Sequence, residues 1–136
     1  NTNAGGWNNS AMRTRMSTYL SQLPAALRNV IKTVNKRTSA GNQSSSIQTT
    51  QDKLFLLSEI EIFGATTYSF AGEGTQYEYY AAGNTTIKKV NGSANAWWER
   101  SPDSGNTSYF CRVNDSGGAG HHSATASYGV SFGFCV

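Results

Sequence analysis

The chain has 136 residues, 38% of them hydrophobic and 14% charged, with sixteen aromatics, so it is expected to form one domain with its own core, and disorder is excluded. Its net charge of +3 comes from basic residues scattered between Arg13 and Arg112 without a run, which argues against nucleic-acid binding. No apolar stretch approaches the ~18 residues of a membrane span, so no membrane insertion is expected.

Neither a leader nor an initiator Met opens the chain, and it is read as the C-terminal piece of a longer protein or a trimmed product. In "NNSAMRTRMSTYLSQLP", Met12, Met16, Tyr19, Leu20 and Leu23 fall on one helical stripe, Asn9 or Ser10 supplies the cap, and Pro24 ends the run. Pro24 then suits the start of a second short helix through Leu27 and Val30. "IKTVNKRT" reads as an edge strand with Ile31 and Val34 inward, and "SAGNQSSSIQTT" as a polar loop without period. "DKLFLLS" is an almost continuous apolar run, predicted to be the centre of the sheet. "SEIEIFG" continues it or turns helical, with Ser58 as cap and Gly64 as stop, and "GEGTQYEYYAAGN" reads as a surface helix ending at Gly83. "AWWERSP", "TSYFCRV" and "YGVSFGFCV" are predicted strands, the last with Val130, Phe132, Phe134 and Val136 alternating onto one face. Helices early and strands late give an α+β class: two N-terminal helices and a mostly antiparallel sheet with long loops.

Few residues read as catalytic. "NDSGG" at 114–118 resembles the nucleophile stretch of serine proteases, with Ser116 as nucleophile. That family, however, has its base histidine far upstream and Gly and Pro where Asn114 and Ala119 stand, so a Gly-rich turn is the reading. His121 and His122, adjacent in an extended segment, point to opposite faces and do not share a metal; both are expected to face solvent. Glu99, Arg100 and Asp103 read as structural: Trp97 or Trp98 enters the core and Arg100 pairs with a carboxylate at the strand end. The sequence shows no second carboxylate converging on Glu99 for acid–base work. Cys111 and Cys135 lie in apolar runs and are expected to be two buried thiols rather than a disulfide. No catalysis and no cofactor are implied.

Residues 103–128 carry the strongest signal. Glu, Lys, Gln, Met and Trp fill twenty of the first 102 positions and none after Arg100. Chance would leave such a 26-residue window empty of them roughly 0.3 per cent of the time, and a Gly- and Ser-rich loop explains the loss of Met and Trp better than that of Lys, Gln and Glu. Codons ending in a pyrimidine cannot encode those five types. Asn codons randomised at both adenines would yield Asp, Gly, Thr, Tyr, Arg, His, Ser and Ala, the set observed.

On this pattern the chain resembles the variable proteins of diversity-generating retroelements, in which a template copied with errors at adenines rewrites a C-terminal segment. "DKLFLLSEIEIFG", "AWWERSP" and "GVSFGFCV" are also similar to a bacterial and phage surface domain carrying W-W-x-R-S-P before, and G-V-x-F-G-F after, a variable insert. The resemblance spans about residues 5–136 and implies a C-type lectin-like fold whose last strands display the altered residues. The rewritten, ligand-binding positions would be Asp103, Gly105, Thr107, Tyr109, Arg112, Asp115, Gly117, Gly120, His121, His122, Ala124, Ala126 and Tyr128. Anchors such as Trp97, Trp98, Phe110, Cys111, Val113, Val130, Phe132 and Phe134 would let these positions change without cavities or buried polar cost. The set that the segment offers, Tyr, Ser, Gly, Asn, Asp, His and Arg, resembles an antibody paratope.

The expectation is therefore a binding module on a phage or virus tail-fibre tip or a bacterial surface, a trimer being common at such tips, whose partner is a protein or glycan on a host cell. The Glu-Pro-Asn and Trp-Asn-Asp calcium ligands of sugar-binding lectins are absent, so calcium-dependent glycan binding is not implied. The rivals are an adhesive surface domain with a fixed loop and an oxidase related to formylglycine-generating enzymes, for which only Cys111 and Cys135 could serve.

Overall fold

In the computed structural model, which describes residues 1–136, Ser10 caps the first helix by accepting the N–H of Arg13 on its hydroxyl. This helix, α1, runs Ala11–Gln22 and lays Met16, Met12, Tyr19, Leu20 and Leu23 against the core, the stripe read from the sequence. After Pro24 a single turn, α2 (Ala25–Arg28), packs Leu27 inward, but Val30 lies beyond its end and is exposed.

The expected edge strand is present from Val34 on, but the polar segment expected to be a loop continues it and returns as its partner, making the longest hairpin of the molecule. Strand β1 (Val34–Gly41) pairs antiparallel with β2 (Ser44–Asp52), from Val34 opposite Asp52 to Gly41 opposite Ser44. Asn42 and Gln43 form the two-residue connection, both at positive φ, the twist that suits right-handed strand pairs. Its buried side chains are polar, among them Lys36, Thr38, Thr50 and Asp52, so no apolar alternation marks these strands in the sequence.

Leu54, Phe55 and Leu56 are buried as expected, yet only Phe55–Leu56 (β3) joins a ladder, opposite Phe132–Gly133 (β9). The predicted central strand is thus reduced to two residues, and carbonyls of this run serve Arg100: Leu56 accepts the guanidinium at 2.9 Å and Leu57 the Arg100 backbone N–H at 2.9 Å. Helix α3 (Glu59–Phe63) starts on a reciprocal pair in which Ser58 accepts the Glu61 N–H and Glu61 accepts the Ser58 N–H, and it ends at Gly64 with φ 69°. Helix α4 (Glu78–Ala81) is one turn, followed by a small hairpin of β4 (Lys88–Val90) and β5 (Ser93–Asn95) that the sequence did not announce.

The site-bearing sheet follows. Strands β6 (Trp97–Pro102), β7 (Tyr109–Val113) and β8 (Ala119–Ser123) form an antiparallel sheet in chain order, with every residue of β6 buried. The last predicted strand shrinks to β9, leaving Val130, Phe134 and Val136 exposed rather than on a buried face. Cys135 is exposed as well; only Cys111 is a buried thiol, and both are free. The architecture is α+β with few helices and four small antiparallel sheets instead of one large one.

Arg100 ties these pieces together. Fully buried, it donates to Glu61 at 2.6 and 3.0 Å, to the Leu56, Arg37 and Glu73 carbonyls and to the Thr38 hydroxyl. Its carboxylate partner is thus Glu61 of α3, not one at the end of its own strand. Breaking a buried pair this well bonded costs about 3–5 kcal/mol, because the remaining charge is stranded.

Candidate functional site

Alternation along β7 and β8 divides the predicted residues between two sides of the sheet. Register sets Trp98 beside Arg112 and Gly120, and Phe110 beside His122, so these five share one side. The segment after β8 folds back over that side, held by Ala124 N–H on Ser108 O, Trp98 N–H on Gly129 O and Gly129 N–H on Ala96 O. It lays Tyr128 against Trp98, edge to face at 5.0 Å, and beside His122 at 5.6 Å, with the Arg112 guanidinium 4.4 Å above its ring. Ala124, Ala126 and Tyr128 also line a cleft of about 600 Å³, which Met12 and Arg15 of α1 line as well. Arg112, His122, Ala124, Ala126 and Tyr128 are therefore gathered on one half-exposed aromatic surface.

The opposite side buries Cys111 and Val113 and carries a separate group at its margin. There His121 contacts the Asp103 carboxylate through Nδ1, stacks on Tyr68 at 4.1 Å and meets Tyr109 edge-on at 5.5 Å. Its ring is thus half-buried and partnered rather than free in solvent, while His122 is exposed, and the two do point to opposite faces. Asp103 is buried and accepts the Gly105 N–H at 2.6 Å. Thr107 is exposed on the same loop, its carbonyl accepting the Asn3 N–H. Asp115 and Gly117 sit apart, at the turn between β7 and β8, with Gly117 packed on Thr86 and Ile87.

Eleven of the thirteen positions are exposed or half-exposed; Asp103 and Gly120 are buried. The expectation that all thirteen change without cost fails at three of them. Replacing Asp103 strips a partner from Gly105 and His121. A Cβ on Gly120 meets the Asn114 side chain at 2.3 Å. Gly117 has φ 91°, and a Cβ there would lie 2.7 Å from the Thr86 hydroxyl.

Under this sheet lies a group of acids that sequence reading did not assemble. Glu99 of β6 is 2% exposed and neither carboxylate oxygen has a hydrogen-bond partner; burial, then the charges of Glu59 and Glu73, push its proton affinity well up. Glu59 is held by the Tyr68 and Ser69 N–H groups and the Ser69 hydroxyl. Burial, then Glu99, likewise raises Cys111 well above an ordinary thiol, the opposite of an activated thiolate. Glu59 lies 40 positions before Glu99, and only the docking of α3 on β6 joins them, through Glu59 N–H on the Ser101 hydroxyl at 3.0 Å. Tyr68 is equally absent from the sequence reading, since "TTYSF" carries no mark of a stacking partner for His121.

No helix is long and apolar enough to cross a membrane. Nothing among curated proteins or solved structures matches the chain. The sequence profile of a family described as Domain of unknown function (DUF6273) matches residues 1–136. The chain belongs to that family.

Proposed function

We propose that this is a ligand-binding module that presents an exchangeable surface on a C-type lectin-like scaffold, as the variable proteins of diversity-generating retroelements do. It would act at a phage or virus tail-fibre tip or on a bacterial surface, gripping a protein or glycan of a host cell. The observation that carries the reading is the closeness of two boundaries: the last of the five residue types is Glu99, and the buried run through β6 ends four residues later at Asp103, where the exposed and half-exposed segment begins. Its centre is the surface of Arg112, His122 and Tyr128 beside the cleft. Tyr128 is braced by Trp98 and Arg112, so little rotamer freedom is lost on binding.

The gene tests rewriting directly. A reverse transcriptase and a near-copy of the last hundred or so bases, with adenines at the altered positions, are expected nearby; purine third bases at several of those positions would leave an adhesive domain with a fixed loop. Binding is tested on host cells or an array of their surface proteins and glycans. Tyr128→Ala or Arg112→Ala should weaken binding by about tenfold or more, the usual scale for central aromatic and Arg contacts, and added calcium should have no effect. Undiminished binding in both variants would place the contact surface elsewhere.

A further inference from the structure

One donor atom each from Glu59, at the start of α3, Glu99 in β6 and Cys111 in β7 lies within 4.8 Å of the other two. All three are sealed from solvent at 0%, 2% and 0% exposure. Glu59 is fixed by its three donors, whereas Glu99 has none for either oxygen. Arg100 is committed to Glu61 and the surrounding carbonyls, and Lys36 to Glu61 and Tyr77. No cation of the protein bonds to the trio. A donorless carboxylate in the interior is costly, and a proton only exchanges its charge for an unpaired hydroxyl and carbonyl.

We propose that Glu59, Glu99 and Cys111 supply three ligands of a binding site for a divalent metal ion of the zinc type, with its fourth position left open. A mixed oxygen and sulfur set suits borderline-soft Zn²⁺, whereas Ca²⁺ and Mg²⁺ take shells of oxygen alone. Zinc bonds of about 2.0–2.3 Å in a tetrahedron set donors about 3.5 Å apart, so side-chain movements on the order of one ångström close the site. The ion replaces the protons of Cys111 and Glu99, which pass to solvent, with no change of oxidation state. Since the donors are shielded, the ion enters while the chain folds, and it fastens α3, β6 and β7 together beneath the proposed binding surface.

The full chain, unfolded in denaturant with a chelator, is refolded with Zn²⁺, with Co²⁺ or with no metal, then dialysed. One zinc per chain and a Tm above that of the metal-free protein are expected, and Co²⁺ should give a thiolate charge-transfer band in the near ultraviolet. Glu99→Gln, which keeps the volume and removes the carboxylate ligand, should fold without metal and lose the bound equivalent. Cys135→Ser should keep the cobalt band and Cys111→Ala should lose it. Metal-free refolding to the same Tm with no zinc retained, or a band that follows Cys135, overturns the site.

Discussion

Glu73 shows how finely the interior is set against its charges. Its carboxylate accepts the Ser39 N–H at 2.9 Å and the Ser101 hydroxyl, yet burial outweighs both and pushes it from 4.5 up to about 7. The folded state therefore holds the proton more tightly than the unfolded chain. The resulting stability is complete below pH 4.5 and is lost as pH rises through about 7. At about 1.4 kcal/mol per pH unit, up to about 3 kcal/mol is at stake. Glu73→Gln keeps both hydrogen bonds with one donor and one acceptor and removes the titration. Denaturant melts in chelator at pH 5 and pH 8 should show the wild type losing stability relative to this variant; parallel curves would mean that Glu73 does not titrate there. Glu61 moves the other way: burial raises it, but Arg100 and then Lys36 more than offset this and hold it below the ordinary value. That Arg100 would meet a carboxylate is legible in "WWERSP". Which carboxylate, and that Glu99 would lack a partner altogether, depends on how α3 docks, and local sequence does not encode that.

Elements reveal where pattern reading works and why it stops. Helix α1 and the Ser58–Gly64 turn are legible because caps and stripes are local signals. Of the hairpin of β1 and β2, the edge strand over residues 34–38 is legible and the rest is not, since its inward residues are polar and hydrogen bonds tie it to α3, the loop at Glu73 and the N-terminal arm. "GVSFGFCV" misleads in the opposite sense: it alternates, but only Phe132–Gly133 forms a ladder, with single bridges from Gly129 to Trp97 and from Cys135 to Lys32. The turn between β7 and β8 offers a test of tolerance at this scale. Gly117→Tyr forces a side chain into left-handed backbone and onto Thr86, at a cost of about 1–3 kcal/mol. Asp115→Tyr, two residues away and exposed, should move stability by no more than about 0.5 kcal/mol. Equal Tm values for the two variants would show that the turn adapts, and that Gly117 belongs with the freely changing positions.

Across the whole molecule, class was legible and layout was not. Helices early and strands late do give α+β, but the expected single sheet is four, stitched by Arg100, Asn3 and Asp52 rather than by continuous ladders. Polar side chains acting between distant segments leave no period in the sequence. The thirteen positions likewise read as one surface, whereas the fold divides them between the two sides of the sheet and the turn. One thiol standing open and the other shut has a practical outcome. An alkylating reagent should modify Cys135 within seconds to minutes and reach Cys111 only when β7 parts from its neighbours, so the rate of the second adduct clocks that opening. Two adducts forming together would reveal a sheet that breathes freely, and the mass spectrum would tell the cases apart without any knowledge of what the protein grips.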